Sequence, residues 1–184
     1  MLSDIYCKGE FIEQDINKGI YYLTLSANQN FSDAQYLLGV NYYRGEYISR
    51  NYNKAIQYLT LASNQNNSNA QFFLGLIYYK GDTSIQDINK SIYYLTLSSN
   101  NNNPYAQFLL GIIYYEGQIV KRDINKSIYY LILSSNQNNS DAQFLLGVIF
   151  HDGQFIKRDI NRSIYYFTLS INQNNSNSLF FLGV

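Results

Sequence analysis

Charge is scarce in this chain. Charged residues make up 14% of 184 positions, against an ordinary share of about a quarter, so Asn, Ser, Gln and tyrosine hydroxyls must solvate much of the surface. The 13 basic and 13 acidic residues cancel, which argues against a nucleic-acid protein, because phosphate binding needs surplus Lys and Arg. Cysteine is nearly absent: Cys7 alone excludes an intramolecular disulfide and a cysteine metal cluster. No apolar run approaches the roughly 20 residues that span a bilayer. The opening stretch MLSDIYCKGEF has no positive region leading into an apolar one, so no secretory signal is expected and the expected location is cytoplasmic. There is no tryptophan, one proline and one histidine. Hydrophobic residues reach 46%, enough for a real core in a chain this long.

What is abundant is repetition. DINKSIYYL occurs at Asp87–Leu95 and again, unchanged, at Asp123–Leu131. Leu-Gly pairs fall at 38–39, 74–75, 110–111, 146–147 and 182–183, each step being 36 residues. A second glycine column holds Gly9, Gly45, Gly81, Gly117 and Gly153, and Ala34, Ala70, Ala106 and Ala142 form a third. A fixed period of this length marks a repeat architecture.

Each copy reads as two helices. The first runs over about 33–44. Ser32 with Gln35, Ser68 with Gln71 and Ser140 with Gln143 have the spacing of a capping box. At Pro104 the serine is replaced; Asn103 can cap there, and proline suits the first helical position. Gly45 is expected to stop the helix at positive φ. The second helix starts after Asp15, Asn51, Asp87, Asp123 or Asp159, all good N-caps. It stops at Asn30, Asn66, Asn102, Asn138 and Asn174, where a left-handed residue is required. Ile16, Ile20, Leu23 and Ala27 form a helical stripe, which outweighs the strand propensity of the many Tyr and Ile residues. Glycine at position 39 and its copies costs on the order of 1 kcal/mol against alanine inside a helix, which close helix approach would offset.

With Ala34, Leu38, Gly39, Tyr42, Gly45, Lys54 and Ala55 in place, the chain resembles the Sel-one-like repeat family, relatives of the tetratricopeptide repeats. The likeness covers essentially the whole chain, about five units. It departs from the family pattern where Tyr47, Thr83, Ile119 and Phe155 replace a second glycine, where Tyr22, Tyr58, Tyr94, Tyr130 and Tyr166 replace a tryptophan, and where serines such as Ser98 and Ser99 replace an alanine pair. The resemblance implies an all-α solenoid, a right-handed α-α superhelix of helix-turn-helix units, whose first helices line a concave groove. Full units are expected at about 33–68, 69–104, 105–140 and 141–176, in a single array over 1–184 cut in mid-repeat at both ends, as a slice of a longer array. Packing is expected to be weakest at the loop 82–86, the most deviant copy.

No catalytic constellation is evident. His151 shares a column with Cys7, Tyr43, Tyr79 and Tyr115, far from Cys7 in sequence. Acidic residues stand singly at caps and helix ends, without the pairing that acid-base chemistry needs. No phosphate loop or metal spacing occurs, and no cofactor is expected. Binding remains. The resemblance implies an interaction scaffold or adaptor for a protein or peptide, with no nucleic acid and no membrane insertion, attached in some relatives to a kinase; a lumenal quality-control adaptor and a vestigial array are the alternatives. The expected groove residues are Leu37, Asn41 and Arg44, then Phe73, Ile77 and Lys80, then Leu109, Ile113 and Glu116, then Leu145, Ile149 and Asp152. The apolar column Leu37, Phe73, Leu109, Leu145, Phe181 has two readings: groove wall or packing between units. Tyr21, Leu25, Tyr129 and Leu133 are expected on an exposed outer face. Lys121, Arg122, Lys157 and Arg158 cluster in two loops, where acidic partners could dock or where the charge is simply solvated.

Overall fold

The computed structural model describes residues 15–81 and 84–182. Among them are ten α-helices and no strand: α1 Ile16–Asn28, α2 Ser32–Arg44, α3 Tyr52–Asn64, α4 Ser68–Lys80, α5 Ile88–Asn100, α6 Pro104–Glu116, α7 Ile124–Ser135, α8 Ser140–Asp152, α9 Ile160–Ile171 and α10 Ser176–Leu182. Cys7, Gly9, Asp82, Thr83, Gly183 and Val184 lie outside the described residues. The chain forms two compact units, Met1–Asn101 and Asn102–Val184. In the first, each of α1 to α4 packs on its successor; in the second, each of α6 to α9 does the same. The contacts are densest within the hairpins α2/α3, α4/α5, α6/α7 and α8/α9.

The starts of α1, α3, α5, α7 and α9 are alike. The Oδ1 of Asp15, Asn51, Asp87, Asp123 or Asp159 accepts the amide three residues on, at 3.0 Å in every copy, satisfying a donor that the helix cannot. Four of these cap residues also return their own N–H to the preceding helix, as Asp87 N does to Tyr78 O at 2.9 Å. The helices end at Asn30, Asn66, Asn102, Asn138 and Asn174, all with φ between 58° and 68°, so the asparagine-rich tracts are left-handed stops.

The starts of α2, α4 and α8 correct the capping-box expectation. Ser32, Ser68 and Ser140 are the first helical residues, not the caps. Asn67 and Asn139 cap α4 and α8 instead, accepting from Ala70 and Ala142 N–H at 3.0 and 2.9 Å; α2 follows Phe31 with no side-chain cap, and Asn103 caps α6 as expected, accepting from Ala106 N–H at 3.1 Å. The expected proline at the first turn of α6 is there. Gln35, Gln71 and Gln143 are buried and do other work. Gln143 Nε2 donates to Ser135 O at 3.2 Å, while its Oε1 accepts from Gln173 at 2.6 Å. One amide thereby ties the ends of α7 and α9 to the start of α8. Gln71 does the same between Ser63 O and Asn101, and Gln35 between Ala27 O and Gln65. A buried amide with both halves bonded fixes register at little desolvation cost.

Within a hairpin the mid-helix glycine is a contact point. A Cβ on Gly39, Gly75, Gly111 or Gly147 would stand 2.6 to 2.7 Å from the side chain of Leu59, Leu95, Leu131 or Phe167. The glycine carbonyl is also used: Ser91, Ser127 and Ser163 Oγ donate to Gly75, Gly111 and Gly147 O at 2.8, 2.8 and 3.0 Å. Gly45, Gly117 and Gly153 close α2, α6 and α8 at φ 73°, 64° and 64°. Gly81 closes α4 differently, with φ −60°, next to the deviant loop. Ile85 of that loop still packs on the core around Leu59, Leu74 and Ile77.

Candidate interaction surface

The groups with reactive potential are occupied structurally. The caps Asp15 and Asp87 are held below the usual carboxylate range, chiefly by the backbone N–H of Lys18 and Lys90. His151 is half-exposed. Its Nδ1 lies 3.1 Å from Asp152 Oδ1, its Nε2 3.4 Å from Arg158 Nη2, and its ring stands edge-on to Phe181. Among the described residues, no group of three His, Cys, Asp or Glu side chains could hold a metal ion, and no helix is long and apolar enough to cross a membrane.

The expected groove residues divide by burial. Ile77, Ile113 and Ile149 are core, at 0%, 4% and 4% exposure, and Leu109 is buried with them; a partner cannot reach these four side chains. The three isoleucines share a column with Asn41, which is half-buried and donates to Leu37 O at 2.9 Å. Arg44, Lys80, Glu116 and Asp152 are exposed at the ends of their helices. Leu37 is 41% exposed, and Phe73 and Leu145 are half-buried.

The two readings of the position-37 column meet in its contacts. Phe73 sets its ring edge-on to Tyr36 at 5.7 Å and to Tyr43 at 6.2 Å, both on the preceding helix of the same row. Phe181 does likewise with Phe144 and His151. Phe73 and Phe181 thus pack successive repeats together, while Leu37 and Phe181 remain partly accessible.

The tyrosines that replace tryptophan lie in the hairpin seam. Tyr58, Tyr94, Tyr130 and Tyr166 stack nearly parallel on Tyr42, Tyr78, Tyr114 and Phe150 at 5.8 to 6.1 Å between ring centres, an offset stack. Lys54, Lys90 and Lys126 set their ammonium groups 5.1 to 5.2 Å from the centres of Tyr42, Tyr78 and Tyr114, a favourable cation–π placement. Burial pushes the Tyr94 and Tyr166 phenols up, with neighbouring tyrosines adding to it. On the other helix face Tyr21, Tyr93, Tyr129 and Tyr165 are all more than half exposed, and Leu25 and Leu61 are exposed beside them.

One set of functional-looking residues has a structural task that sequence reasoning missed. Arg50 Nε and Gln86 Nε2 donate to Tyr43 O and Tyr79 O at 3.1 and 3.0 Å, and Arg122 donates to Tyr115 O and Glu116 O at 2.8 and 2.9 Å. They satisfy carbonyls left open at a helix C-terminus. The signal was a donor seven residues after each such tyrosine, immediately before the next cap. Arg122 also lies over the Phe155 ring at 4.2 Å.

Tandem helical hairpins joined by a recurrent seam, with no reactive cluster among the described residues, define a helical-repeat protein of the all-α solenoid class. The chain belongs to the Sel1 repeat family, whose repeat matches residues 1–31, 32–67, 68–103, 104–139 and 140–175. Sel1 repeat proteins generally act as non-catalytic scaffolds for protein interaction. Solved structures share the fold. A Sel1 repeat protein from Oxalobacter formigenes is 25% identical, with a TM-score of 0.88 over 98% of this chain and 74% of that one. A protective antigen of uropathogenic Escherichia coli strains is 22% identical, with a TM-score of 0.63 over 98% of this chain and 46% of that one. Helicobacter pylori cysteine rich protein B is 24% identical, with a TM-score of 0.56 over 75% of this chain and 99% of that one. No curated protein matches the sequence.

Proposed function

We propose that this chain is a non-catalytic docking module that holds a protein or peptide partner on the exposed row formed by α2 and α4 in the first unit and by α6 and α8 in the second. The supporting observation is the charge at the ends of these helices. Arg44 and Lys80 are exposed in the first unit, which also carries the accessible Leu37 and the half-buried Phe73, and Glu116 and Asp152 are exposed in the second. A partner segment with aliphatic anchors and acidic flanks matches the first unit's row, and one with basic flanks matches the second's. The reading takes the chain as part of a larger, kinase-linked signalling adaptor in the cytoplasm; a lone cysteine fits a reducing compartment.

The test is cross-linked capture of partners by the full chain, compared with a Leu37→Asp, Arg44→Glu, Lys80→Glu triple variant. All three side chains are exposed, so the far-ultraviolet dichroism should stay at the parent value. The row is supported if the captured proteins disappear while the fold is kept. An unchanged set of captured proteins rejects it.

A further inference from the structure

The second unit has a groove of about 520 Å³ between α7 and the loop that leads into α9. Ile128, Ile156 and Phe150 line its apolar part, and Lys157, Arg158 and Arg162 stand on its rim with a single carboxylate, Asp159. That carboxylate is already engaged: its Oδ1 accepts the Arg162 amide at 3.0 Å, and its Oδ2 lies 3.3 Å from Arg162 Nε. Among the described residues Lys157 has no ion-pair partner. The groove therefore carries positive charge that the protein itself does not neutralise.

Comparison of the internal copies separates this site from ordinary loop charge. The residues at the positions of Lys157 and Arg158 are Ser49 and Arg50, Ile85 and Gln86, and Lys121 and Arg122 in three other copies, so the difference lies in the bonds that the second residue makes. Arg50, Gln86 and Arg122 each spend their donors on a carbonyl of the preceding helix. Arg158 instead reaches the half-exposed His151 ring at 3.4 Å, so its guanidinium keeps donors available to a ligand. Arg162 lies over the buried Phe150 ring at 5.3 Å, which shuts that aromatic face to a stacking base. The open apolar surface is aliphatic.

We infer that this groove binds an acidic peptide segment, with an aliphatic side chain seated against Ile128 and Ile156 and a flanking carboxylate on Lys157 and Arg158. The site deepens the docking-module reading and rests on it, but it uses residues of the second unit, whereas Leu37, Arg44 and Lys80 belong to the first. An arginine guanidinium can take a carboxylate through two parallel hydrogen bonds, and a nearby ammonium adds attraction that salt screens.

The test is a titration of the full, ¹⁵N-labelled chain with acetyl-Glu-Leu-Glu-amide, read by amide chemical shifts at low salt. Saturable shifts are expected at residues 125–128 and 156–162, with a dissociation constant on the order of 1 mM for so small a probe. The isosteric Gln-Leu-Gln peptide and the Lys157→Glu variant should each bind about tenfold more weakly. Lys157 is an exposed loop residue, so the variant's unperturbed amides report directly that it folds. Absence of saturable shifts in this groove overturns the inference, as does equal binding of the neutral peptide or of Lys157→Glu. Tighter binding of an oligothymidylate at the same amides overturns it in favour of a polyanion. Loss of this site leaves the capture result for the Leu37, Arg44 and Lys80 row unchanged, so failures of the two readings are distinguishable.

Discussion

The Cβ that Gly75 lacks would lie 2.6 Å from Cγ of Leu95 and 2.7 Å from its Cδ2. The leucine occupies the space of the missing methyl, and Ser91 Oγ bonds the same glycine's carbonyl at 2.8 Å. A helix-interior glycine is thereby exchanged for the contact that joins α4 to α5.

Gly75→Ala gains about 1 kcal/mol of helix propensity and forces an overlap that costs about 1 to 3 kcal/mol. A net loss of about 1 kcal/mol is expected in urea unfolding. Leu95→Ala relieves the overlap while opening a cavity, so the double variant should be more stable than the sum of the single losses. Additive losses would show that the two residues do not share one contact.

Ser178 is fully buried, and its hydroxyl has no hydrogen-bond partner among the described residues. It stands in the column of Ala34, Ala70, Ala106 and Ala142. Ser178→Ala removes an unsatisfied polar group and should raise the urea midpoint, by a stabilisation of about 1 kcal/mol. A lowered midpoint would show that the hydroxyl is satisfied in solution.

Asp15 and Asp87 have lowered carboxyl pKa values, because their charged forms accept helix amides. The stability they supply is present above the unfolded carboxylate pKa, near 4, and is lost as pH falls through the lower folded value. The Asn51 cap makes the same bond at 3.0 Å without charge. Asp87→Asn should therefore keep most of the stability at pH 7 and flatten part of the acid limb below about pH 4 in denaturation against pH. The raised phenol of Tyr94 acts at the other end: its contribution is present below the unfolded pKa near 10 and is lost as pH rises through the higher folded value.

Much of the fold was legible because its punctuation is local. An aspartate three residues before a lysine, or an asparagine at a left-handed stop, acts through its own neighbours, and every copy repeats it. α2 follows Phe31 with no side-chain cap, and the caps of α4 and α8 were misread by one residue because Ser and Asn are adjacent and both suit a cap. What separates them is the place of Gln71 and Gln143, whose amides reach helices about 30 residues away in sequence. The candidate surface was less legible for the same reason. Ile77 and Ile149 share a helical wheel with Lys80 and Asp152, and only the neighbouring helices decide which side of the wheel is covered. The Lys157 and Arg158 charge was legible as a loop cluster; what the sequence does not distinguish is Arg122, bonded to carbonyls, from Arg158, which is not.

The central claim is that a hairpin such as α4/α5, joined internally by its glycine–leucine seam and stacked tyrosines, holds its shape by leaning on the preceding hairpin through Phe73 against Tyr36 and Tyr43 and through the Gln71 link to Ser63 O. Circular dichroism of a peptide spanning one repeat, residues 68–103, tests this directly. The peptide is expected to be largely unfolded in water, with a non-cooperative melt, whereas the whole chain unfolds cooperatively. A monomeric peptide with full two-helix signal and a cooperative melt would contradict the claim.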